Sequence, residues 1–589
     1  MIAARRLAKL SLVSAGLVLA TAMRVLSADE AAQPLQGCSG YAGGITLPPG
    51  FCATVFADGI GHARHLVVAP NGDVYVNTWS GRYYGNDTPP PGGFLVALKD
   101  KNGDGVADVA ARFGETADEG SAGGTGIALY KGALYAEMND RILRFPIKEG
   151  ELVPSAAPEV VVSGLPLSGD HPMHPFAIDA DGSLYVDLGS ATNACQIKNR
   201  TAGSPGHDPC TELETRGGIW RYDANKTGQK FSPAERFATG IRNAVGITID
   251  PSGHNVFATQ HGRDQLSQNW PDLYTSEQNA KLPAEELLHV EKGDDFGWPR
   301  CYFDAEQGKL VLAPEYGGHG DKAVGDCGDK RGPVAAFPAH WAPNDLTFYD
   351  ANQFPKAYRG GVFIAFHGSW NRAPLPQGGY NVVFQPLKDG RADADYVVFA
   401  DGFAGGEMDP GEAKHRPSGV AVGPDGALYI ADDQAGRIWK VTYHGDPNAA
   451  IVPAAAASKE SAAAPAAEPG PPEGIHPDAG AQEAAAPLPE GVTAEEIALG
   501  DDVFHGKVAA GACEGCHGVD GRGTPLGPNL TDGTWLWGDG SLAAITKTIK
   551  DGVPEPKDFR SPMPPLGGTP LTPDQLAAVA AYVWTLSRK

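Results

Sequence analysis

The sequence has fewer basic than acidic residues: it contains 47 Lys and Arg and 71 Asp and Glu, and its formal net charge is -24. Such a surface repels nucleic-acid phosphates, so we expect no nucleic-acid partner. Beyond its N-terminus the sequence also lacks an apolar run of the roughly 20 residues that a membrane-spanning helix needs. We therefore do not expect an integral membrane protein.

The only long apolar stretch stands at the N-terminus, within MIAARRLAKLSLVSAGLVLATAMRVLSADE. Arg5, Arg6 and Lys9 precede apolar residues from Leu10 to Ala22, and small residues follow. This order predicts a secretory signal peptide, residues 1–28, and a periplasmic protein. A retained membrane anchor is the alternative, although the stretch is short for a bilayer.

Cysteine is scarce, with 8 in 589 residues. Two of them belong to a C-x-x-C-H motif near the C-terminus, and the other six fall into pairs that are close in sequence. In an oxidising compartment these pairs predict the disulfides Cys38–Cys52, Cys195–Cys210 and Cys301–Cys327. The inference rests on closeness in sequence, so other pairings stay open.

Glycine and proline, by contrast, are abundant, with 77 and 49 residues. A glycine turn followed by a short β-branched or aromatic strand recurs six times, as PNGDVYVN, YKGALYAE, ADGSLYVD, PSGHNVFA, YRGGVFIA and PDGALYIA. Radial repetition of such units predicts a six-bladed β-propeller over residues 29–443. A pair of β-sandwiches is the alternative. Residues 271–304, between the fourth and fifth copies, are predicted to be an insertion between blades.

After Tyr443 the composition changes to Ala and Pro with almost no aromatic residues. Residues 444–491 cannot bury a core, so they predict a flexible linker whose ends lie about 35–40 Å apart. Residues 492–589 then show helix-start signals at Thr493 and Thr572. A small all-α domain with terminal helices around C-x-x-C-H resembles class I cytochrome c.

The C-x-x-C-H motif is formed by Cys513, Cys516 and His517. This spacing is typical of c-type haem attachment, in which both thiols bond to the porphyrin and the histidine binds iron. Met563, in the SPMPP loop, is the predicted second iron ligand, because a thioether stabilises ferrous haem. The alternatives are a disulfide or zinc half-site for the cysteines and a core position for the methionine.

Polar residues interrupt the strand pattern close to the ends of several predicted strands, where loops of successive blades converge at one end of a propeller. They are Arg64, Asp170, His171, Arg242, Asn243, His367, Trp370, Asn371, Arg372 and Arg416. A histidine beside an aspartate suits a general base whose charged form the carboxylate favours. Several arginines suit a planar, multiply anionic cofactor. Each residue alone is more often a surface or structural residue; their shared position favours a site.

The motifs DHPMHPFAIDADGSLYV, ATGIRNAVG, HGRD, FGWP, FHGSWNR and RPSGVAVGPDGALYIADD resemble the soluble pyrroloquinoline quinone (PQQ) dependent sugar dehydrogenases, in particular the sorbosone and pyranose dehydrogenases. The likeness covers about residues 45–443. It implies a six-bladed propeller with PQQ and Ca²⁺ near its axis.

The same resemblance implies roles for individual residues. His171 would take the proton of a sugar hydroxyl as hydride passes to PQQ, Arg242 would stabilise negative charge on PQQ, and Asp170 would position the sugar. Asn243, Arg372 and Arg416 would hold the oxygens and carboxylates of PQQ. Arg64, Trp370 and Asn371, which belong to the same polar clusters near strand ends, are also predicted to bind PQQ. Backbone carbonyls of Gly262 and Arg263 would face the calcium ion.

The sequence also departs from that family. Arg263 stands where the glucose dehydrogenases have proline, which puts the calcium geometry in doubt. Lys414-His415-Arg416 replaces a pair of closely spaced arginines, so the contacts with the cofactor differ.

A further calcium candidate is DKNGDGVAD, with oxygen donors at Asp100, Asn102, Asp104 and Asp108. It resembles the start of a calcium loop but lacks the distal glutamate. A simple acidic turn is the alternative.

Together these features predict a periplasmic quinohaemoprotein that oxidises an aldose or related sugar at PQQ and passes electrons to its haem c and on to a respiratory acceptor. The alternatives are a calcium-dependent propeller lactonase or other hydrolase, and a non-catalytic propeller that carries a cytochrome. A hydrolase releases no electrons for the haem, and a docking module gives no role to the arginines or to Asp170 and His171.

Overall fold

The computed structural model describes residues 43–80, 90–114, 122–319, 325–406, 408, 413–454, 488–489, 491–506, 508, 513–518, 521–523, 527–557, 559 and 562–588. The predicted signal peptide, residues 1–28, and most of the predicted linker, residues 444–491, lie outside these described residues.

The strands of the first half are β1 (Phe51–Ala57), β2 (Ala63–Val68), β3 (Val74–Ser80), β4 (Leu95–Lys99), β5 (Val109–Phe113), β6 (Ala122–Gly123), β7 (Ile127–Tyr130), β8 (Ala133–Met138), β9 (Arg141–Pro146), β10 (Glu159–Ser163), β11 (Phe176–Ile178), β12 (Ser183–Leu188), β13 (Gly218–Asp223), β14 (Gln229–Lys230) and β15 (Arg236–Thr239). The remaining strands are β16 (Ile247–Ile249), β17 (Val256–Gln260), β18 (Glu285–Val290), β19 (Cys301–Asp304), β20 (Lys309–Leu312), β21 (Ala335–Phe337), β22 (Pro343–Phe348), β23 (Val362–Phe366), β24 (Asn381–Gln385), β25 (Leu387–Lys388), β26 (Arg391–Ala392), β27 (Val397–Ala400), β28 (Pro417–Val422), β29 (Leu428–Asp432) and β30 (Ile438–Tyr443). The helices are α1 (Leu266–Asn269), α2 (Ser276–Lys281), α3 (Gly325–Gly328), α4 (Ala494–Phe504), α5 (Cys513–His517), α6 (Leu542–Asp551) and α7 (Pro573–Leu586).

Six antiparallel sheets follow one another along the chain, with strand orders β2-β3-β4-β5, β7-β8-β9-β10, β11-β12-β13-β15, β16-β17-β18-β21, β22-β23-β24-β27 and β28-β29-β30-β1. The first strand, β1, completes the last sheet: Phe51 pairs with Tyr443 and Val55 with Trp439. This pairing closes the ring, because the N-terminal strand completes the same sheet as the last three strands. The predicted six-bladed β-propeller is confirmed.

Each of the six recurring sequence phrases ends in the second strand of a blade, namely β3, β8, β12, β17, β23 and β29. These strands are buried on both faces, as the fully buried β8, β17, β23 and β29 show. Their apolar side chains pack into cores between neighbouring blades, which is why the repeats are continuously apolar instead of alternating.

The position predicted for the insertion at residues 271–304 was wrong. These residues contain β18, which is the third strand of the fourth blade and pairs with β17 from Val256↔Val290 to Gln260↔Glu286. The extra residues therefore lie within that blade, on either side of β18, and not between two blades. The run EELLHV is a buried strand whose neighbours in sequence are helices and loops. The surrounding sequence therefore does not indicate to which blade this strand belongs.

The C-terminal domain packs α4, α6 and α7 around a small core that includes Phe504, Ile549, Val579 and Tyr582. Both predicted helix starts are capping boxes: Thr493 with Glu496 for α4, and Thr572 with its N3 glutamine for α7. The predicted all-α domain is confirmed.

Disulfides join Cys195 to Cys210 and Cys301 to Cys327, as predicted. Cys52 is also disulfide-bonded, while its predicted partner Cys38 lies outside the described residues. Within the part of the chain that the structure describes, no helix has the length and apolar character needed to span a membrane.

Candidate functional site

The polar residues of the propeller meet where the ends of strands from different blades converge. Asp170 and His171 precede β11, Arg242 precedes β16, and Asn371 follows β23. Hydrogen bonds and ion pairs connect side chains from these segments, as the following paragraphs describe. The predicted convergence at one end of the ring is therefore present.

His171 is a buried, neutral imidazole with a defined tautomer. Its Nδ1 lies 2.8 Å from the carbonyl oxygen of Ser190 and 3.0 Å from the hydroxyl of the same residue. The Ser190 hydroxyl donates to the carbonyl of Thr192 at 2.7 Å, so both Ser190 oxygens accept from His171 Nδ1–H. Nε2 therefore carries the lone pair that a general base needs.

Electrostatics reinforce this neutral state. Burial, then the positive charge of Arg242, lowers the pKa of His171 well below its ordinary value. The expectation that the neighbouring Asp170 would favour a charged His171 was wrong. The Asp170 carboxylate turns to Arg200, whose Nε lies 3.0 Å from its Oδ2, and the hydrogen-bond partner of His171 is Ser190.

Arg242 lies at the centre of the site. It donates to the backbone oxygen and to Oδ1 of Asn193, both at 3.1 Å, and to the backbone oxygen of Gly262 at 3.0 Å. Its Nη2 also contacts Oδ2 of Asp264 at 3.1 Å. Four acceptors around one buried guanidinium group fix its position, so its positive charge is preorganised toward the site.

Asp264 joins the site residues of different blades. Its Oδ2 lies 3.3 Å from Arg200 Nη2 and 3.1 Å from Arg242 Nη2, and its Oδ1 accepts from Asn371 Nδ2 at 2.9 Å. Burial alone would raise the pKa of Asp264, but Arg242 and then Arg200 outweigh it and hold the pKa well below its ordinary value. Asp264 is an ionised acceptor. The HGRD motif contained it, but its role was not evident from the sequence.

A second cluster lies around Asp433. Arg64 Nη1 is 2.6 Å from Asp433 Oδ2, and His367 Nε2 is 2.7 Å from Asp433 Oδ1. Burial, then Arg416, lowers the pKa of His367 to about 4, although Asp433 opposes the shift. Arg64 is thus paired with a carboxylate, as Arg242 is with Asp264, and its contact with PQQ stays a prediction.

Arg372 and Arg416 differ from Arg64 in their partners. Arg416 donates to the carbonyl oxygens of His367 and Gly368 at 3.0 and 3.2 Å, and Arg372 donates to the carbonyl oxygen of Ala339 at 2.6 Å. Carbonyl oxygens orient a guanidinium group without neutralising it. The remaining positive charge suits the carboxylates of PQQ.

Two buried amide oxygens also fit a polar ligand. Oδ1 of Asn243 and Oδ1 of Asn371 are buried and, within the described residues, have no hydrogen-bond partner. A buried polar atom without a partner is costly, so these atoms are expected to have one in the functional protein. Gly189 lets His171 and Asn243 approach its backbone closely, because a β-carbon there would lie 2.6 Å from His171 Cβ and 3.0 Å from Asn243 Oδ1. The donors and acceptors present fit PQQ.

The predicted calcium positions give a mixed result. The Gly262 carbonyl lies within the site, where it accepts a hydrogen bond from Arg242, while the Arg263 side chain is buried in an ion pair with Glu315. In the second candidate loop, Asp100 accepts from the backbone of Gly103 and Gly105.

The other oxygen donors of that loop behave alike. Asn102 accepts from the backbone of Asp104, and Asp108 accepts from the backbone of Lys101. These side chains thus cap their own turn, as in the acidic-turn alternative. Both calcium sites stay predictions.

Cys513, Cys516 and His517 of the haem motif line a cavity in the C-terminal domain together with Met563. His517 Nδ1 lies 3.0 Å from the carbonyl oxygen of Pro528, which leaves Nε2 for iron. Met563 is held by a two-way backbone bridge with Val553. Two thiols, an oriented imidazole and a thioether around one apolar cavity fit haem c.

Two propeller residues, Arg200 and Gln265, also line this cavity. Neither was a candidate from the sequence. Arg200 lies in the loop closed by the Cys195–Cys210 disulfide, and Gln265 follows Asp264. Trp370, which is predicted to bind PQQ, packs against the haem-attachment helix α5, where a β-carbon on Gly515 would lie 3.0 Å from its indole ring. Its contact with PQQ stays a prediction.

Known protein families match the propeller and the C-terminal domain separately. Residues 45–444 match the TrAA12-like family. The chain belongs to the TrAA12-like family. Residues 500–587 match the cytochrome c family. The assignment of the two parts from sequence resemblance is therefore confirmed.

Individual relatives of this TrAA12-like protein cover its two parts separately. The PQQ-dependent pyranose dehydrogenase of Coprinopsis cinerea is 30% identical over 166 residues, 25% of this chain and 21% of that protein. The cbb3-type cytochrome c oxidase subunit FixP of Rhizobium etli is 41% identical over 104 residues, 16% of this chain and 36% of that protein. The chain spans half or less of the length of such curated relatives.

Solved structures resemble the propeller. The holo form of the PQQ domain of Coprinopsis cinerea pyranose dehydrogenase has a TM-score of 0.52 at 18% identity, over 69% of this chain and 98% of that one. The calcium structure of the Trichoderma reesei family AA12 enzyme has a TM-score of 0.53 at 18% identity, over 68% and 98%. At this identity, the likeness shows that the TrAA12-like part shares their fold.

Proposed function

We propose that this protein oxidises an aldose or related sugar with PQQ in the propeller and passes the electrons to haem c in its C-terminal domain. The observation that carries the proposal is the pairing of two sites in one chain. A neutral, oriented histidine lies beside preorganised arginines in the propeller, and a haem cavity in the second domain is lined partly by propeller residues.

When bound, PQQ supplies a two-electron acceptor and haem a one-electron carrier. His171 Nε2 accepts the proton of the sugar hydroxyl, because Nδ1–H is held by Ser190 and burial keeps the ring neutral. Arg242 stabilises negative charge that develops beside it, as Asp264 and Asn193 hold its guanidinium group in place.

Other residues bind and orient. Arg372 and Arg416 would hold the carboxylates and ring oxygens of PQQ. The buried Oδ1 atoms of Asn243 and Asn371 accept hydrogen bonds, so they would take them from N–H or O–H groups of the cofactor or the sugar. Asp170, fixed by Arg200, would orient the sugar. The Gly262 and Arg263 carbonyls are proposed ligands of Ca²⁺. In the second domain, Cys513 and Cys516 would bond the haem while His517 and Met563 bind its iron.

We also propose that the protein is periplasmic, since disulfides such as Cys195–Cys210 form and persist in oxidising compartments. Its next electron acceptor would be a respiratory redox protein. Cell fractionation tests the location: the haem-bearing protein is expected with the periplasmic fraction, and recovery in the cytoplasm contradicts it.

The activity is tested with purified, haem-loaded protein reconstituted with PQQ and Ca²⁺. A panel of aldoses is added while the haem absorption is followed. We expect sugar-dependent reduction of the haem that requires PQQ. No reduction across a wide panel, or equal reduction without PQQ, contradicts the proposed function. Omitting Ca²⁺ tests separately whether the ion is needed.

A further inference from the structure

The haem-attachment helix and the propeller are in direct contact. Gly515 lies between the two haem thiols of α5, and a β-carbon built on it would be 3.0 Å from both Cη2 and Cζ3 of Trp370. Trp370 immediately precedes Asn371, whose side chain bonds Asp264. The indole therefore lies between the helix that carries the haem and the polar site of the propeller.

Arg200 contacts both sites at once. Its guanidinium group pairs with Asp170 and Asp264 at 3.0 and 3.3 Å, and it also lines the haem cavity. It is buried, with only 5% of its surface exposed. The polar site and the haem cavity are thus separated at this point by a single side chain.

The backbone around this side chain is unusual. Arg200 has φ of 53° and Gln265 has φ of 63°, both in the left-handed region that non-glycine residues rarely adopt. Arg200 Nη1 donates to Gln265 Oε1 at 3.2 Å, so a side-chain hydrogen bond connects the two strained residues. Such strain persists where surrounding structure imposes it, and it clusters at functional sites.

Gln265 also faces the methionine-bearing side of the haem cavity. A β-carbon on Gly568 would lie 3.4 Å from Gln265 Nε2, so the loop after Met563 touches the propeller here. The contact surface therefore covers both edges of the cavity: Trp370 meets the thiol helix, and Gln265 meets the methionine loop.

We propose that Trp370, Arg200 and Gln265 form a docking seat on which the protein's own cytochrome c domain places its haem edge against the propeller site. This inference rests on the proposed function, and it identifies the first electron acceptor as the haem of the same chain in this position. Each sugar hydroxyl oxidised to a carbonyl would release two electrons and two protons. The electrons would pass one at a time to the haem, each reducing the iron from ferric to ferrous before a one-electron acceptor such as ferricyanide reoxidises it, and the protons would go to solvent.

The decisive variant is Gly515→Leu. Haem attachment needs only the two cysteines and His517, so the variant is expected to take up haem normally. Its side chain meets the Trp370 indole and separates the haem edge from the seat. Reduction of haem by sugar is expected to slow by about 10-fold or more. Reduction of a small dye that takes electrons directly from the propeller should change less than twofold.

Two further variants make the test specific to the seat. Ala543→Leu adds the same bulk at an exposed position on α6 and should leave haem reduction unchanged. Trp370→Ala alone removes a residue of the seat, so it should also slow the reduction of haem by sugar. Equal rates in wild type and Gly515→Leu would overturn the proposal, and so would a wild-type rate in Trp370→Ala.

A readout independent of activity uses hydrogen exchange in the full, haem-loaded chain without sugar. In Gly515→Leu, amides of the 195–210 loop and of residues 513–518 should exchange faster than in wild type, whereas Ala543→Leu should match wild type. Unchanged exchange at both segments would overturn the seat. If neither dye nor haem is reduced by sugar in any protein, the proposed function fails, while the exchange result still decides the seat.

Discussion

The haem cavity takes both thiols and its first iron ligand from the five residues of α5, whereas the propeller site takes Asp170, Arg242 and Asn371 from segments of three different blades. In the first arrangement the haem-attachment and iron-ligand side chains come from one helix and the Met563 loop, although other helices and two propeller residues complete the cavity wall. The second exists only once the ring has closed through β1. A local site survives much disturbance of its surroundings, while a distributed site depends on every blade that contributes to it.

The largest effect is expected from His171→Gln, which removes the base of the distributed site. Substrate oxidation should fall by about 10²–10⁴-fold, because a general base contributes this much. PQQ binding and the haem spectrum should not change, since neither depends on Nε2. Turnover is measured with a dye acceptor and PQQ by its absorption. The surface variant His254→Gln should match wild type, and retained turnover in His171→Gln excludes the residue as the base.

The corresponding change at the local site is Met563→Ala. The haem should remain attached through Cys513 and Cys516, but its reduction potential should fall because the thioether no longer stabilises ferrous iron. Dye reduction by the propeller should stay at the wild-type level. Spectroelectrochemical titration measures the potential, with the exposed Met408→Ala as control. An unchanged potential means that Met563 is not an iron ligand.

A smaller effect concerns the pH dependence of propeller stability. Burial raises the pKa of Glu286 to about 8, although the hydrogen bond from Gln260 opposes the shift. Between its ordinary pKa and about pH 8, the folded state therefore binds more protons than the unfolded state. Stability is complete below this window and is lost as the pH rises through it.

Glu286→Gln removes this loss. The unfolding free energy of the variant minus that of wild type should grow as the pH rises from about 5 to about 8, by at most about 1.4 kcal/mol for each unit of pKa difference. Chemical unfolding at several pH values measures it. The exposed Glu149→Gln should show no such trend. A difference that stays constant across the window contradicts the raised pKa of Glu286.

The smallest effect is expected from Thr572→Ala, which removes the N-cap of α7. Loss of such a cap costs about 1 kcal/mol. The unfolding free energy of the cytochrome domain should fall by this amount, so its transition should move to lower temperature while the transition of the propeller does not change. Calorimetry separates the two transitions, and an equal shift of both would show that the domains unfold as one unit.

The same contrast explains how much could be predicted from sequence. The six glycine-turn phrases identified the second strand of each blade, and C-x-x-C-H identified the haem cavity, because each of these signals lies in a short run of residues. Met563 followed from the ligand chemistry of the iron and its proline-flanked loop. The placement of β18 and the contacts of Asp264 could not be predicted, since they depend on which blades become neighbours.

Two further features lay beyond sequence reasoning. Arg200 gives no signal in CQIKNRTAGSPGHDPC, because its role comes from the path of a disulfide-closed loop toward another domain. Trp370 is predicted to bind PQQ, and no motif indicated the contact of its indole with α5. Long-range contacts of this kind depend on the positions of whole domains.

The central claim, that the propeller and the haem work as one unit, is tested most directly by the rate of haem reduction after mixing with sugar across a wide range of protein concentrations. Electron transfer within the chain gives a first-order rate that does not change with protein concentration. A rate that rises in proportion to protein concentration would mean that the haem receives its electrons from other molecules, and it would contradict the account.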